Sequence, residues 1–420
     1  RGDYTRVVSQ YWADGPTSET PPGHWFVLLN DVSDHPSFQK KYQGVGPVLS
    51  NLEWDVKSYF TLGTAMHDAA VACWGIKGYY DASRPISTIR KMCDLGQSSD
   101  ILLPNYHPGG IKLIPGFIEQ VVASDPSYLT GIGNVNVGKI KVKAWKAFPY
   151  IFYSNGTPIN AAGVGWILAA NWMPYQRETF VSPPFAGYVS GHSTYSRAGA
   201  TIMEKLTGNA YFPGGLKEFV VNANSTFIGF EKGPSTMVRL QWATYKDASD
   251  EASLSRIWGG IHPPFDDIPA RVIGVKVANE CFEKSKAYFY NDVPEITISS
   301  NLPNPVCTGS YLTFSASAIN EPVNAEYIWR RNNVIVQAGN SNVLVTDAYA
   351  NNDKFVCELK GNGFSVESQT ITISTLNCGT CNLTANLFIQ GYYNAAGFMK
   401  PVLMNQGIGA NALLTDSVDI

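Results

Sequence analysis

The spacing of hydrophobic and polar positions changes near residue 290, and that change divides the chain. Before it, apolar residues recur at helical intervals. Residues 55–80 (DVKSYFTLGTAMHDAAVACWGIKGYY) predict an alanine-bearing apolar helix and 247–258 a second. A third, 269–290, runs through Val272, Ile273, Val277, Ala278 and Phe282. Residues 193–206 (STYSRAGATIMEKL) read as a further helix. Gly259-Gly260 and Pro263-Pro264 interrupt the pattern, and the rest reads as long loops, among them the Gly- and Pro-rich surface stretch 105–116. After Tyr290 β-formers alternate in short runs at 296–298, 311–314, 327–329, 343–345, 355–357 and 370–373. Asn332-Asn333 and Asn351-Asn352-Asp353 supply turns between them. The expected fold class is therefore multidomain: a mainly α helical bundle over 1–292, then an all-β sandwich over 293–376. Residues 377–420 are expected to be a linker and the start of a further β-unit. The chain opens on Arg1-Gly2 without Met or a signal-peptide pattern, and ends at Ile420 inside a strand-like run. A processed product whose native polypeptide continues is the expectation.

Length and composition sharpen this picture. At 420 residues the chain exceeds the usual size of one hydrophobic core. Only 15% of residues are charged and the net charge is −3, which argues against nucleic acid and anionic membrane surfaces as partners. No apolar run approaches the length of a bilayer span, so the chain reads as soluble. Cys73, Cys93 and Cys281 fall in the helical part, an odd number that leaves a free thiol. Cys378 and Cys381 suit a small local disulfide, and a zinc site would want a second such pair.

Three remote segments bring chemistry. Lys77-x6-Arg84-Pro85, Ser190-Gly191-His192 and Ser255-Arg256-x5-His262-x3-Asp266 supply three cations, two imidazoles, a hydroxyl and a glycine. Arginine forks match pairs of oxygens on one anion, and a lysine adds a movable charge. Ser190-Gly191-His192 stands before an expected helix, where free backbone amides and the helix dipole favour negative charge. A tight turn would bring Asp266 to the His262 ring, fixing its tautomer. A tetrahedral oxyanion, phosphate or vanadate, fits such a set. Taken singly, Lys77 and Arg84 fit surface charges equally well, and His192 a residue satisfied at a helix start. The last segment alone also fits a salt-bridge cluster or a weak metal pair. The remaining histidines, His24, His35, His67 and His107, show no metal-ligand spacing.

These segments resemble the signature shared by vanadium-dependent haloperoxidases and the type-2 phosphatidic acid phosphatase superfamily, with its bacterial acid phosphatases. The pattern is K-x6-RP, PSGH and SR-x5-H-x3-D; this chain departs from it only at Val189, where the family has Pro. The resemblance implies that Lys77, Arg84, Ser190, Gly191, His192 and Arg256 surround the ion. It implies that His262 is the axial ligand to vanadium, or the nucleophile toward phosphorus. His192 is then the acid–base group and Asp266 the partner that orients His262, with Lys77 assisting turnover. Spacers of 104 residues (86–189) and 62 residues (193–254) exceed those of small soluble acid phosphatases. Trp74 and Phe185 are spaced like the aromatic pocket wall of haloperoxidases, although core packing accounts for them equally.

The implied function is vanadate-dependent oxidation of halide by hydrogen peroxide to hypohalous acid or an equivalent. Vanadate is the implied cofactor, the organic acceptor is open, and a homo-oligomer is admitted. The alternatives are a soluble acid phosphatase acting through a phosphohistidine, or a non-catalytic module. Cys307 and Cys357 bracket Trp329 with a spacing that resembles an immunoglobulin-like sandwich, which implies a Cys307–Cys357 bridge. A bridged tail implies an oxidising compartment, hence secretion or a bacterial-type cell-surface or periplasmic location.

Overall fold

The structure, a computed structural model, describes residues 2–13, 18–290, 292–361 and 363–378, and the backbone of 393–394 and 398–399. The chain divides into two compact units. The first comprises Arg1–Glu295, Ala318–Ala325 and Leu359–Val366; the second comprises Ile296–Ser317, Glu326–Glu358 and Glu367–Ile420. The helical region holds α1 (Gly2–Tyr11), α2 (Pro21–Ser33), α3 (Asn51–Tyr80), α4 (Pro85–Leu95), the one-turn α5 (Ser127–Thr130), α6 (Gly191–Thr207), α7 (Tyr245–Trp258) and α8 (Pro264–Tyr290).

Local chemistry explains where these helices begin. Ser50 caps α3 by accepting from the Glu53 amide, and Thr244 with Asp247 forms a reciprocal capping box on α7. Pro85 and Pro264 open α4 and α8, where a missing N–H costs nothing. Ser190 caps α6, its hydroxyl accepting from the Ser193 amide at 3.4 Å. Fourteen of the 17 residues of α6 are buried, so this helix is the axis around which α2, α3, α7 and α8 pack. Its small residues make that possible. A Cβ on Gly199 would lie 2.4 Å from the Trp25 ring of α2, and one on Gly274 of α8 would lie 2.5 Å from the Thr194 carbonyl oxygen. The surrounding core includes Trp25, Trp54, Ile202, Met203, Leu206, Trp242 and Phe282.

The stretch between α4 and α6 is not all loop. Strands Ile118–Gln120, Ile140–Trp145 and Val164–Leu168 form an antiparallel sheet in that order, and Lys217–Val221 pairs with Val238–Trp242 further on. The sheet buries Ile140, Val142 and Ile167 in a small core of its own with Cys93. No helix among the described residues is long and apolar enough to cross a membrane.

The β-rich region is a sandwich of two sheets. Val343–Thr346, Leu312–Ile319 and Glu295–Ser300 form one; Val334–Gly339, Glu326–Arg331, Lys354–Gly361 and Phe364–Glu367 form the other, with Ile371–Thr372 added to Lys354–Gly361. Phe314 stacks on Phe355 at 4.5 Å beside the fully buried Trp329.

The expected Cys307–Cys357 bridge is not made. Cys307 bonds Cys378, and Cys357 is a buried free thiol. The pleat decides this. Val306 points into the core, so its neighbour Cys307 points out to solvent, while Cys357 points in. Pairing of Val306–Cys307 with Thr375–Leu376 then carries Cys378 to the outward-facing thiol. The local Cys378–Cys381 bridge is excluded by the same bond; Cys381 itself, most of the expected linker and further β-unit over 377–420, and the end at Ile420 lie outside the described residues.

Candidate active site

Lys77 sits in the last turn of α3, Arg84 at the N-cap of α4, Ser190 at the N-cap of α6 with Gly191 and His192 in its first turn. Arg256 closes α7, and Asp266 lies in the first turn of α8 just after His262. All seven of these side chains, glycine apart, are buried. Five helix ends therefore converge, which explains why residues so remote in sequence share one place.

His262 stands between two partners. Its Nδ1 lies 2.6 Å from Asp266 Oδ2, and its Nε2 lies 2.9 Å from Arg84 Nη1. Burial, reinforced by Arg84, Lys77 and Arg256, drives the imidazole pKa well below its ordinary value. The ring is therefore neutral. Asp266 accepts the Nδ1 proton, and the lone pair is left on Nε2, where Arg84 donates to it. Asp266 itself is pushed up to about 6 by burial, against the pull of Lys77 and Arg84. Its Oδ1 is buried without a hydrogen bond, while its backbone carbonyl accepts from the Ser190 amide at 2.9 Å, tying the starts of α6 and α8 together.

Arg84 also donates from Nε to the Phe185 carbonyl (2.9 Å) and from Nη1 to that of Ile261 (3.1 Å). Lys77 Nζ donates to the carbonyls of Ala186 (2.9 Å) and Gly187 (2.8 Å). Neither cation has an ion-pair partner among the described residues. Burial lowers Lys77 to about 8, with Arg84 adding to the effect against Cys73 and Asp266, and lowers Arg84 to about 10.

The opposite wall is built from Arg256, His192 and the chain after α1. Arg256 Nη1 and His192 Nε2 both donate to the Trp12 carbonyl, at 2.7 and 2.8 Å, and lie 3.4 Å from one another. Burial and then Arg256 push His192 well below the ordinary histidine value, so its Nδ1 holds a lone pair. Trp12 is held from behind: its Nε1 donates to Glu251 Oε1 at 3.1 Å, a carboxylate that also accepts from Trp242 Nε1 and Tyr4.

Trp74 and Phe185 meet with ring centroids 5.3 Å apart, both partly exposed, and Lys77 and Arg84 lie over the Phe185 ring at 5.4 and 5.2 Å. Gly191 lets this wall pack closely, since a Cβ there would lie 3.2 Å from the Trp74 ring. Gly260 makes the turn before His262 with a φ of 74°, and it packs against the Trp172 ring.

Residues 57–291 match the profile of the VCPO second helical-bundle domain, more than half of the chain. The chain belongs to the VCPO second helical-bundle family. The match spans every motif above, from Lys77 to Asp266, and leaves α1, α2 and Trp12 outside it. No curated protein matches the sequence. Among solved structures, a holo-type bacterial vanadium-dependent chloroperoxidase shows 16% identity and a TM-score of 0.43 over 67% of this chain and 44% of that one. Its apo form gives 15%, 0.47, 69% and 46%. A bacterial vanadium-dependent iodoperoxidase gives 15%, 0.35, 68% and 44%. The chain thus spans under half the length of each of these structures, and likeness at this level assigns no residue a role.

The structure brings the motif side chains together, and carbonyls that no motif points to complete the cluster. Those of Trp12, Phe185, Ala186, Gly187 and Ile261 have no residue-type signature to read. His24, which has no metal-ligand spacing, lies behind this cluster. It is buried, its ring lies 4.9 Å from that of Trp12, and burial holds its pKa down to about 4. Its sequence signal was position alone, inside an apolar run.

Proposed function

We propose that the chain is a vanadate-dependent haloperoxidase whose cofactor is held by Lys77, Arg84, Ser190, Gly191, Arg256 and His262, with His192 beside it as the acid–base group. The observation that carries this reading is the burial of Lys77 and Arg84 beside the His262 lone pair, with no carboxylate ion-paired to either among the described residues. Two buried cations near the single carboxylate of Asp266 leave positive charge in excess, which is costly, and an oxyanion offsets it. The donor set fits that group: a neutral imidazole nitrogen that could coordinate it, two cations that could bind its oxygens, and the amide end of α6 at a glycine that leaves no Cβ in the way. When bound, vanadate supplies a Lewis acid that activates hydrogen peroxide toward a halide.

The chain's own residues do the rest. Asp266 keeps the proton on His262 Nδ1 and so keeps Nε2 free to coordinate. His192, neutral and buried, takes up the proton that peroxide releases. Lys77 and Arg84 stabilise the negative charge that develops. Trp74 and Phe185 limit water at the mouth. The appended sandwich is read as an immunoglobulin-like module. A secreted protein is the location proposed, which the Cys307–Cys378 bridge supports.

The same lone pair on Nε2 would serve a histidine phosphatase as nucleophile, and one experiment separates the two. The protein is loaded with orthovanadate, freed of excess and analysed for vanadium, then assayed for peroxide-dependent halogenation and for phosphoester hydrolysis. Stoichiometric vanadium with halogenation is expected, and His262→Ala should lose both. Hydrolysis that vanadate inhibits, without halogenation, would establish the phosphatase instead, and neither activity in a folded protein would leave a binding module.

A further inference from the structure

A cavity of about 460 Å3 lies among α4, α5 and the sheet between α4 and α6, and none of its lining residues belongs to the oxyanion set. That volume is in the range of small-ligand pockets. Two half-buried cations face onto it, Arg90 and Lys146. Arg90 is pinned by bonds from Nε to the Trp172 carbonyl (2.8 Å) and from Nη2 to Met173 Sδ (2.9 Å), which leaves Nη1 without a hydrogen bond among the described residues. Lys146 Nζ lies 4.6 Å from the Tyr150 ring centroid. Neither cation has an ion-pair partner among the described residues. Aromatic rings of Tyr128, Phe148 and Tyr150 supply the walls, and Glu178 contributes one exposed carboxylate.

A second, independent sign comes from the backbone. Ala147, between the cationic and aromatic parts of the lining, holds φ 63° and ψ −165°, a region open in practice only to glycine. Such conformations persist where the surroundings over-determine them, and they concentrate at ligand sites. Here the strained residue turns the chain so that Lys146 and Phe148–Tyr150 line one cavity.

We infer that this cavity binds a small hydroxylated aromatic monocarboxylate. Two cations against one carboxylate leave a single positive charge, which selects a monoanion. Arginine and lysine on the lining of one cavity suit a carboxylate, the rings take a flat aromatic body, and Glu178 accepts from a ring hydroxyl. The cavity is also joined to the oxyanion site. Trp172, whose carbonyl holds Arg90, packs its ring against Gly260, and the Tyr175 amide donates to the Gly259 carbonyl at 2.9 Å, just before His262. The inference stands whichever chemistry the oxyanion site carries.

The test is calorimetric titration of the full chain with 4-hydroxybenzoate, alone and in the presence of orthovanadate. One-to-one binding is expected, unaffected by orthovanadate, and at least tenfold tighter than that of phenol or of cyclohexanecarboxylate. Lys146→Ala, at a half-exposed position that the fold tolerates, should weaken binding about tenfold, the loss of one charge-assisted contact. Displacement by orthovanadate would place the probe in the other site and overturn the assignment. So would equal affinity for phenol, binding unchanged by Lys146→Ala, or no binding at all.

Discussion

Burial makes Lys77 the titrating member of the oxyanion set. With its pKa near 8 in the free protein, it is charged below that pH and neutral above it, and an oxyanion binds the charged form. Affinity for vanadate should therefore be full below about pH 8 and fall by up to tenfold for each unit above it. Lys77→Arg keeps its charge and should flatten that fall, and the difference between the two proteins cancels the titration of the ion itself. Parallel curves for both would exclude Lys77 as the cause. His192 is a second residue-scale case. His192→Ala should retain vanadium yet slow turnover by about 10²–10⁴, the range of a lost acid–base group, measured as retained metal against kcat. Equal loss of both would make it a binding group. At this scale the sequence was informative because charged and imidazole side chains announce their chemistry. The carbonyl of Trp12, which receives both Arg256 and His192, announces nothing.

Among the elements, α6 carries the site because its small residues let α8 and α2 approach to backbone distance. Gly274→Ala would set a methyl 2.5 Å from the Thr194 carbonyl oxygen and 3.0 Å from the Ala198 nitrogen, atoms that cannot rotate away. A loss of about 1–3 kcal/mol is expected from the far-UV helical transition, together with weaker vanadate retention, because the Ser190–Asp266 backbone bond joins the same two helices. Unchanged stability would mean that the α6–α8 contact has slack. Long helices were legible from apolar spacing, and the ends of α3, α6 and α7 agree with that reading to within a few residues. The sheet between α4 and α6 was not. Its strands are only three to six residues long, too short for alternation to stand out from loop.

At the scale of the whole molecule, the one disulfide among the described residues is in the β-rich region. Cys307 and Cys378 close a loop of 71 residues, and opening it should cost about 4 kcal/mol by chain entropy. Under reducing conditions, hydrogen exchange should accelerate in strands Leu312–Ile319 and Glu326–Arg331. Protection that survives reduction would show the sandwich standing on packing alone. By itself the sequence determined the order of a helical part and a β part, the helices with strong periodicity, and the charged and imidazole side chains that the fold brings together. These follow from local spacing and residue chemistry, which need no knowledge of distant neighbours. Only the tertiary structure decided that Cys307 pairs with Cys378, since strand pairing and the pleat choose which thiols face each other. It alone put Trp12 against Arg256 and His262 against Arg84, because such distances depend on how separate helix ends meet.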